Sequence, residues 1–548
     1  MKFKPYYFTT YRTTLHNATK KSGRLKPDLV FQTALVFVII SVHTSSESMM
    51  MNALNKTLLS VSVALGLSAC ASVKTADTYD LDFSKQKYTE QNIEVNGQAV
   101  KFRAYEGVVY VRNPVDTRYE IINIYVPEAY YNGGEIDGFN AETAPIFLPN
   151  QIGGYMPAEP GKPALEGKRG EPEDGQKSPN AALVALSKGY VVASPGARGR
   201  TEPTGKAPAA IVDLKAAVRY LKANDKVMPG DAEKIISNGT SAGGAMSALL
   251  GATADQKDYE NHLKALGAAD GSDKVFAVSA YCPITDLDHA DMAYEWQFNG
   301  INDYKKMNIS MLDYRVKREL VAGTLTDDEK KLSDLLKPLY PAYLNSLNLK
   351  SPEGKPLTLD AQGNGSFKNH IAGLIAKSAQ AQLDAGKDLS DRTWLTVRKG
   401  KVVSVDFDAY AKAAGRQKTP PAFDGVDLST GENQLFGTNT VDKRHFTAFS
   451  MQHNTAANAE IADEETIKIM NPLNYIGKPG INLPQNWRIR VGTIDRDTSL
   501  AVSTVLAAKL QNNGQTVDYA LPWDVGHGGD YDLDELFTWM KQVSSSTK

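Results

Sequence analysis

Only two cysteines, Cys70 and Cys282, occur in 548 residues, too few for a disulfide framework, so stability must come from a packed core. Charge of one sign is also lacking. Sixty-one Lys and Arg face 63 Asp and Glu, a net charge of −2, which argues against a whole-chain basic field for nucleic acid and against an acidic excess for a cationic partner. Neither an H-E-x-x-H stretch nor a paired-cysteine pattern is present, so no metal or other cofactor is expected. Internal repeats and low-complexity tracts are absent as well. His262, His289, His370, His445 and His453 fall in helix-like or inserted segments and read as surface or packed histidines.

What remains is a chain long enough for a large core, with an ordinary 42% hydrophobic content. Residues 1–76 read as leader, signal and linker rather than fold. The apolar run 30–42 follows a basic stretch but is short for a membrane span. A second run, 58–67, follows Lys56 and ends in Leu67-Ser68-Ala69-Cys70. It resembles a bacterial lipoprotein signal, which implies cleavage after Ala69, a lipid on Cys70 and export to the cell envelope. Met49, Met50 or Met51 would then start translation.

From residue 79 onward, alternating stretches around 93–97, 108–111 and 119–126 predict antiparallel strands. The apolar runs 144–149 and 190–194 predict buried strands, with helical spacing over 181–188 and 211–222. Further strands are expected at 234–237 and 276–282. Alternating strands and helices predict an α/β chain with a doubly wound, largely parallel sheet. The pattern breaks between 290 and 468, too long for a connection, and this segment reads as an inserted lid domain. The catalytic domain is then 77–289 joined to 469–548.

The sharpest local signal is Gly239-Thr240-Ser241-Ala242-Gly243-Gly244, placed after an apolar strand and before a helix. Glycines there let the chain turn sharply and lift the serine hydroxyl into a cleft, the elbow of an α/β-hydrolase. Downstream, 488–495 reads as a short strand ending at Asp495, and Gly526-His527-Gly528-Gly529 places a histidine in a glycine-rich loop before a last helix from about Leu533. The chain order Ser, Asp, His is the one this fold requires. Ser241, Asp495 and His527 are therefore expected as nucleophile, acid and base. Asp497 competes with Asp495, with an N-cap as its plain alternative. The N–H of Ala242 and that of Gly154, in Asn150-Gln151-Ile152-Gly153-Gly154-Tyr155, are expected to form the oxyanion hole.

These motifs, together with Tyr281-Cys282-Pro283-Ile284-Thr285-Asp286-Leu287-Asp288-His289-Ala290-Asp291, Lys418-Thr419-Pro420-Pro421-Ala422-Phe423-Asp424 and Gly431-Glu432-Asn433, resemble the bacterial tannases over nearly the whole chain after the signal. The resemblance implies an α/β-hydrolase fold with a large inserted lid, and a serine esterase that releases gallate from galloyl esters and depsides. It further implies that Lys418, Glu432 and Asp497 contact the ring hydroxyls and that Ile284 packs against the ring. The expected partners are small galloyl esters, with no nucleic acid and a membrane reached only through the lipid. Two rivals stay open at this point: a feruloyl or general carboxylesterase of the same fold, and a polyphenol-binding surface lipoprotein without turnover.

Overall fold

The computed structural model describes residues 78–167, 177–312 and 315–545; the expected signal and Cys70 lie outside them. Nine strands, β1 (Thr89–Val95), β2 (Gln98–Val109), β3 (Ile121–Pro127), β4 (Pro145–Pro149), β5 (Val191–Pro195), β6 (Asp231–Thr240), β7 (Ala277–Tyr281), β8 (Asn486–Arg490) and β9 (Thr516–Ala520), join in one sheet. Their order is β1-β2-β3-β5-β4-β6-β7-β8-β9. In the run β1-β2-β3-β5 each neighbouring pair is antiparallel, and from β5 to β9 every neighbouring pair is parallel. Successive side chains of a strand point to opposite faces, so β4, β5 and β7, buried at every residue, require cover on both faces of the sheet.

That cover comes from helices α1 (Ala181–Ser187), α2 (Ala209–Ala223), α3 (Ala242–Ala252), α4 (Leu287–Phe298), α5 (Leu500–Asn512) and α6 (Leu533–Ser545). Helix α1 packs against α6, and α2 against α3. Gly251 explains how closely α3 lies on the sheet: a Cβ there would meet Val278 at 2.5 Å and Trp487 at 2.8 Å. Among the described residues no helix is long and apolar enough to cross a membrane.

Between α4 and β8 the chain leaves the sheet and builds short hairpins and helices, among them Asp327–Leu336, Ser366–Asp384 and Phe407–Ala414. Residue 290, the expected start of the insertion, lies inside α4, and this helix is one of the segment's anchors. Tyr294 and Glu295, both fully buried on α4, bind it at two points. The Tyr294 hydroxyl accepts from the backbone N–H groups of Gln417 and Lys418, each at 3.0 Å. Glu295 pairs with Arg416, whose Nε also donates to the Lys418 carbonyl at 2.9 Å. Asp291 accepts from the N–H groups of Phe423 (2.7 Å) and Asp424 (3.1 Å). Burial and the nearby Asp424 push the Asp291 carboxyl up to about 8.

Candidate active site

Only Ser241 separates the end of β6 at Thr240 from the start of α3 at Ala242. Ser241 takes up the turn with φ 59° and ψ −121°, a conformation that costs an L residue of order 1–3 kcal/mol and persists only when neighbours hold it. They do: Ser241 N–H donates to Tyr281 O and Ser241 O accepts from Ala245 N–H, both at 2.9 Å. Three glycines let the turn close. A Cβ on Gly239 would lie 2.3 Å from Gly243 O, one on Gly243 would lie 2.5 Å from Asn150 Oδ1, and one on Gly244 would lie 2.5 Å from Tyr281 O.

The serine Oγ lies 2.7 Å from His527 Nε2, and His527 Nδ1 lies 2.9 Å from Asp495 Oδ2. Strand β8 stops at Arg490, earlier than expected. Asp495 therefore sits in a turn, its N–H donating to Gly492 O at 3.0 Å, and it is fully buried. His527 follows β9 in a loop that comes so close to Thr240 that a Cβ on Gly529 would stand 1.9 Å from Thr240 Oγ1. Burial lowers the affinity of His527 for a proton, yet Asp495 and Asp497 outweigh it and hold its pKa well above 6.5. Cys282, a free buried thiol, sits beside this histidine, Sγ to Nε2 4.0 Å.

The N–H of Ala242 is that of the first residue of α3, one of the amides a helix start leaves without an intrahelical acceptor. Gly154 lies across in the loop after β4, with φ +55°, and its carbonyl accepts from Arg200 Nε at 2.7 Å. Asn150 ties that loop to the elbow. Its Nδ2 donates to Asn238 O, Gly243 O and Ser247 Oγ at 3.0–3.1 Å, and its Oδ1 accepts from Ile152 N–H at 3.2 Å.

The expected ring contacts also converge. Ser499, not Asp497, caps α5, which leaves the Asp497 carboxylate free to face Lys418 and His527. Its Oδ2 lies 3.4 Å from Lys418 Nζ and 3.7 Å from His527 Nε2, and its Oδ1 accepts from Gln417 Nε2 at 2.7 Å. Burial tends to raise the Asp497 pKa, but Lys418 and His527 hold it below the usual carboxylate value. Lys418 Nζ also stands 4.0 Å from the centre of the Phe423 ring. Glu432, on the short helix Gly431–Leu435, has its carboxyl raised by burial and by Asp497, partly offset by Lys418 and Arg200. Ile284 is buried in the common apolar core, 5% exposed.

A second cluster, Asp286, Asp288 and His289, could by spacing hold an ion. Its polar groups are occupied by one another: His289 Nδ1 lies 2.8 Å from Asp286 Oδ1, and Asn471 Nδ2 donates to both aspartates at 2.7 Å. Sequence reasoning missed Asn150, Arg200, Tyr294 and Gln417. Their partners lie on distant segments, so the sequence offered no local signal for them.

The sheet order, the elbow and the serine–histidine–aspartate chain define a hydrolase of the α/β-hydrolase fold. A family model described as BD-FAE matches residues 168–325, and no curated protein matches. Among solved structures, a Fusobacterium nucleatum tannase shares 50% identity over 85% of this chain and 100% of its own, with a TM-score of 0.80. A Lactobacillus plantarum tannase shares 43% over 85% and 99%, also at 0.80. A tannin acyl hydrolase in complex with ethyl gallate shares 43% over 85% and 99%, at 0.77. The chain belongs to the bacterial tannases.

Proposed function

We propose that this protein hydrolyses galloyl esters to gallate through an acyl-enzyme on Ser241. A serine hydroxyl is a weak nucleophile at neutral pH, so His527 removes its proton during attack and returns it to the leaving alcohol. Asp495 fixes the imidazole tautomer and stabilises the imidazolium. The N–H groups of Ala242 and Gly154 receive the oxyanion of the tetrahedral intermediate. Water then takes the alcohol's place and the same steps release the acid.

One observation carries the choice of acyl group. Asp497 Oδ2 faces both Lys418 Nζ at 3.4 Å and the catalytic imidazole Nε2 at 3.7 Å. An acyl ring seated against His527 thus meets an ammonium and a carboxylate, with Glu432 sharing their field. Adjacent phenols offer the donors and acceptors that such a set requires, and a ring without them would leave charges unpaired. The ethyl gallate complex of a relative supports the same reading. We assign residues 290–468 the role of a lid that supplies Lys418 and Glu432.

The test is gallate release from methyl gallate beside methyl ferulate, with wild type and Ser241→Ala. Selective gallate release that vanishes in the variant supports the proposal. Ferulate release alone moves the protein to the feruloyl esterases, and no release from either leaves a binding protein. Export as a lipoprotein is proposed on residues 58–70 alone; fatty-acid labelling lost in Cys70→Ala tests it.

A further inference from the structure

Arg200 lies in the loop after β5 and contacts both halves of the proposed site. Toward the sheet, its Nε donates to Gly154 O at 2.7 Å and its backbone N–H to Tyr155 O at 2.8 Å. These are the two carbonyls directly following the Gly154 N–H. Toward the insertion, its Nη1 donates to Gln434 Oε1 at 2.5 Å. A Cβ on Gly431 would stand 2.9 Å from the guanidinium carbon, so the helix Gly431–Leu435 rests directly on it. Glu432 sits on that helix, close enough for the two charges to act on each other.

The approach is built rather than incidental. A Cβ on Gly199, the preceding residue, would come within 2.1 Å of Pro157 N, which leaves no room between the two loops. Lys206, nearly buried, braces the other side, with Nζ donating to Arg200 O at 2.7 Å and to Asp442 O and Oδ1 at 3.0 and 2.7 Å. Ala207 N–H adds a bond to Leu435 O at 2.9 Å.

We propose that Arg200 is a positioning residue that locks the loop carrying the Gly154 N–H to the helix carrying Glu432, so that acyl-ring recognition and oxyanion stabilisation are aligned by one side chain. The inference rests on the galloyl-esterase reading. A guanidinium suits the task because its planar fork holds two acceptors in a fixed relation, which an ammonium cannot do. The charged groups facing Glu432 are Lys418, Asp497 and Arg200, with the Tyr155 phenol also within its field. Those facing Arg200 are Glu432 and Asp442.

The experiment measures kcat and KM for methyl gallate and 4-nitrophenyl acetate, each against pH, in wild type, Arg200→Gln, Arg200→Lys and Gln434→Ala. In Arg200→Gln, kcat falls on both esters by about 10–100-fold, the range expected when an oxyanion donor is displaced rather than removed. KM rises for methyl gallate alone, and its acid limb moves to higher pH because Glu432 has lost a stabilising cation. Arg200→Lys restores the limb but not kcat. Gln434→Ala, at a partly exposed position, raises KM for methyl gallate and leaves acetate hydrolysis unchanged. Equal losses on both esters with KM and pH profile unmoved, or variants indistinguishable from wild type, overturn the role of Arg200. Wild-type protein that releases no gallate overturns the galloyl reading itself.

Discussion

The serine–histidine–aspartate chain and the charged cluster beside it meet where Asp497 lies 3.7 Å from His527, yet they are held in different ways. Ser241, Asp495 and His527 each follow a parallel strand, and backbone fixes them: the elbow closes through Gly239, Gly243 and Gly244, and the histidine loop through Gly529. The cluster of Lys418, Glu432 and Asp497 is held by side chains. Tyr294 receives the N–H groups of Gln417 and Lys418 and donates its own proton to Arg496 O at 2.8 Å. One phenol thus sets the segment carrying Gln417 and Lys418 against the loop that carries Asp497. Chemistry common to a whole fold is written in backbone, while the substrate choice proposed for the cluster rests on contacts between distant segments.

The comparison can be broken most severely at Ser241. Its replacement by Ala removes the nucleophile, so kcat should fall about 10⁶-fold on methyl gallate and 4-nitrophenyl acetate alike, with an unchanged melting temperature. Residual activity on one ester only would separate two mechanisms and end the comparison. Glu432→Gln should split the substrates. On the proposed ring recognition it removes one charged contact, worth about 1.5–3 kcal/mol, so kcat/KM should drop roughly 10–100-fold for methyl gallate and stay within about threefold for the acetate.

Asn150→Ala addresses the backbone side. It removes the side-chain bonds to Asn238 O, Gly243 O and Ser247 Oγ, while Asn238 O keeps the Asn150 backbone N–H; at about 0.5–1.5 kcal/mol per net bond this should read as a lower midpoint in urea. A midpoint equal to wild type would mean that glycine sterics alone hold the elbow. Asp497→Asn tests where the two regions touch. The Asp497 carboxylate favours protonated His527, whose pKa is held up by its neighbours; without it the imidazole loses its proton more readily. The neutral base then persists to lower pH, and the acid limb of kcat/KM for 4-nitrophenyl acetate should move down. A limb moving up, or standing still, would show that Asp497 does not reach the imidazole.

The sequence carried one region far better than the other. Glycine at 239, 243 and 244 is demanded by contacts under 3 Å, and strands such as 144–149 and 190–194 are largely apolar because both their faces are covered. These constraints fall on residues close together in the sequence and therefore leave a local pattern. Asp497 was ambiguous because an aspartate just before a helix commonly caps it, and only the structure gives that task to Ser499. Lys418 and Glu432 carry no local sign at all; without the family resemblance they would pass as a surface ion pair. Arg200 and Tyr294 were invisible for the same reason, since their partners lie far along the chain.

The long insertion between β7 and β8 has a cost that is paid during synthesis. About 200 residues separate the end of β7 at Tyr281 from the start of β8 at Asn486, which at roughly 5–20 residues per second takes on the order of 10–40 s to translate. Throughout that interval β7, apolar and buried on both faces in the finished protein, has no neighbour on one side and stands at the margin of an incomplete sheet. Unpaired strands of this kind recruit other chains. A nascent chain halted before residue 486 should therefore self-associate or bind chaperones, while one that includes β8 and β9 should not.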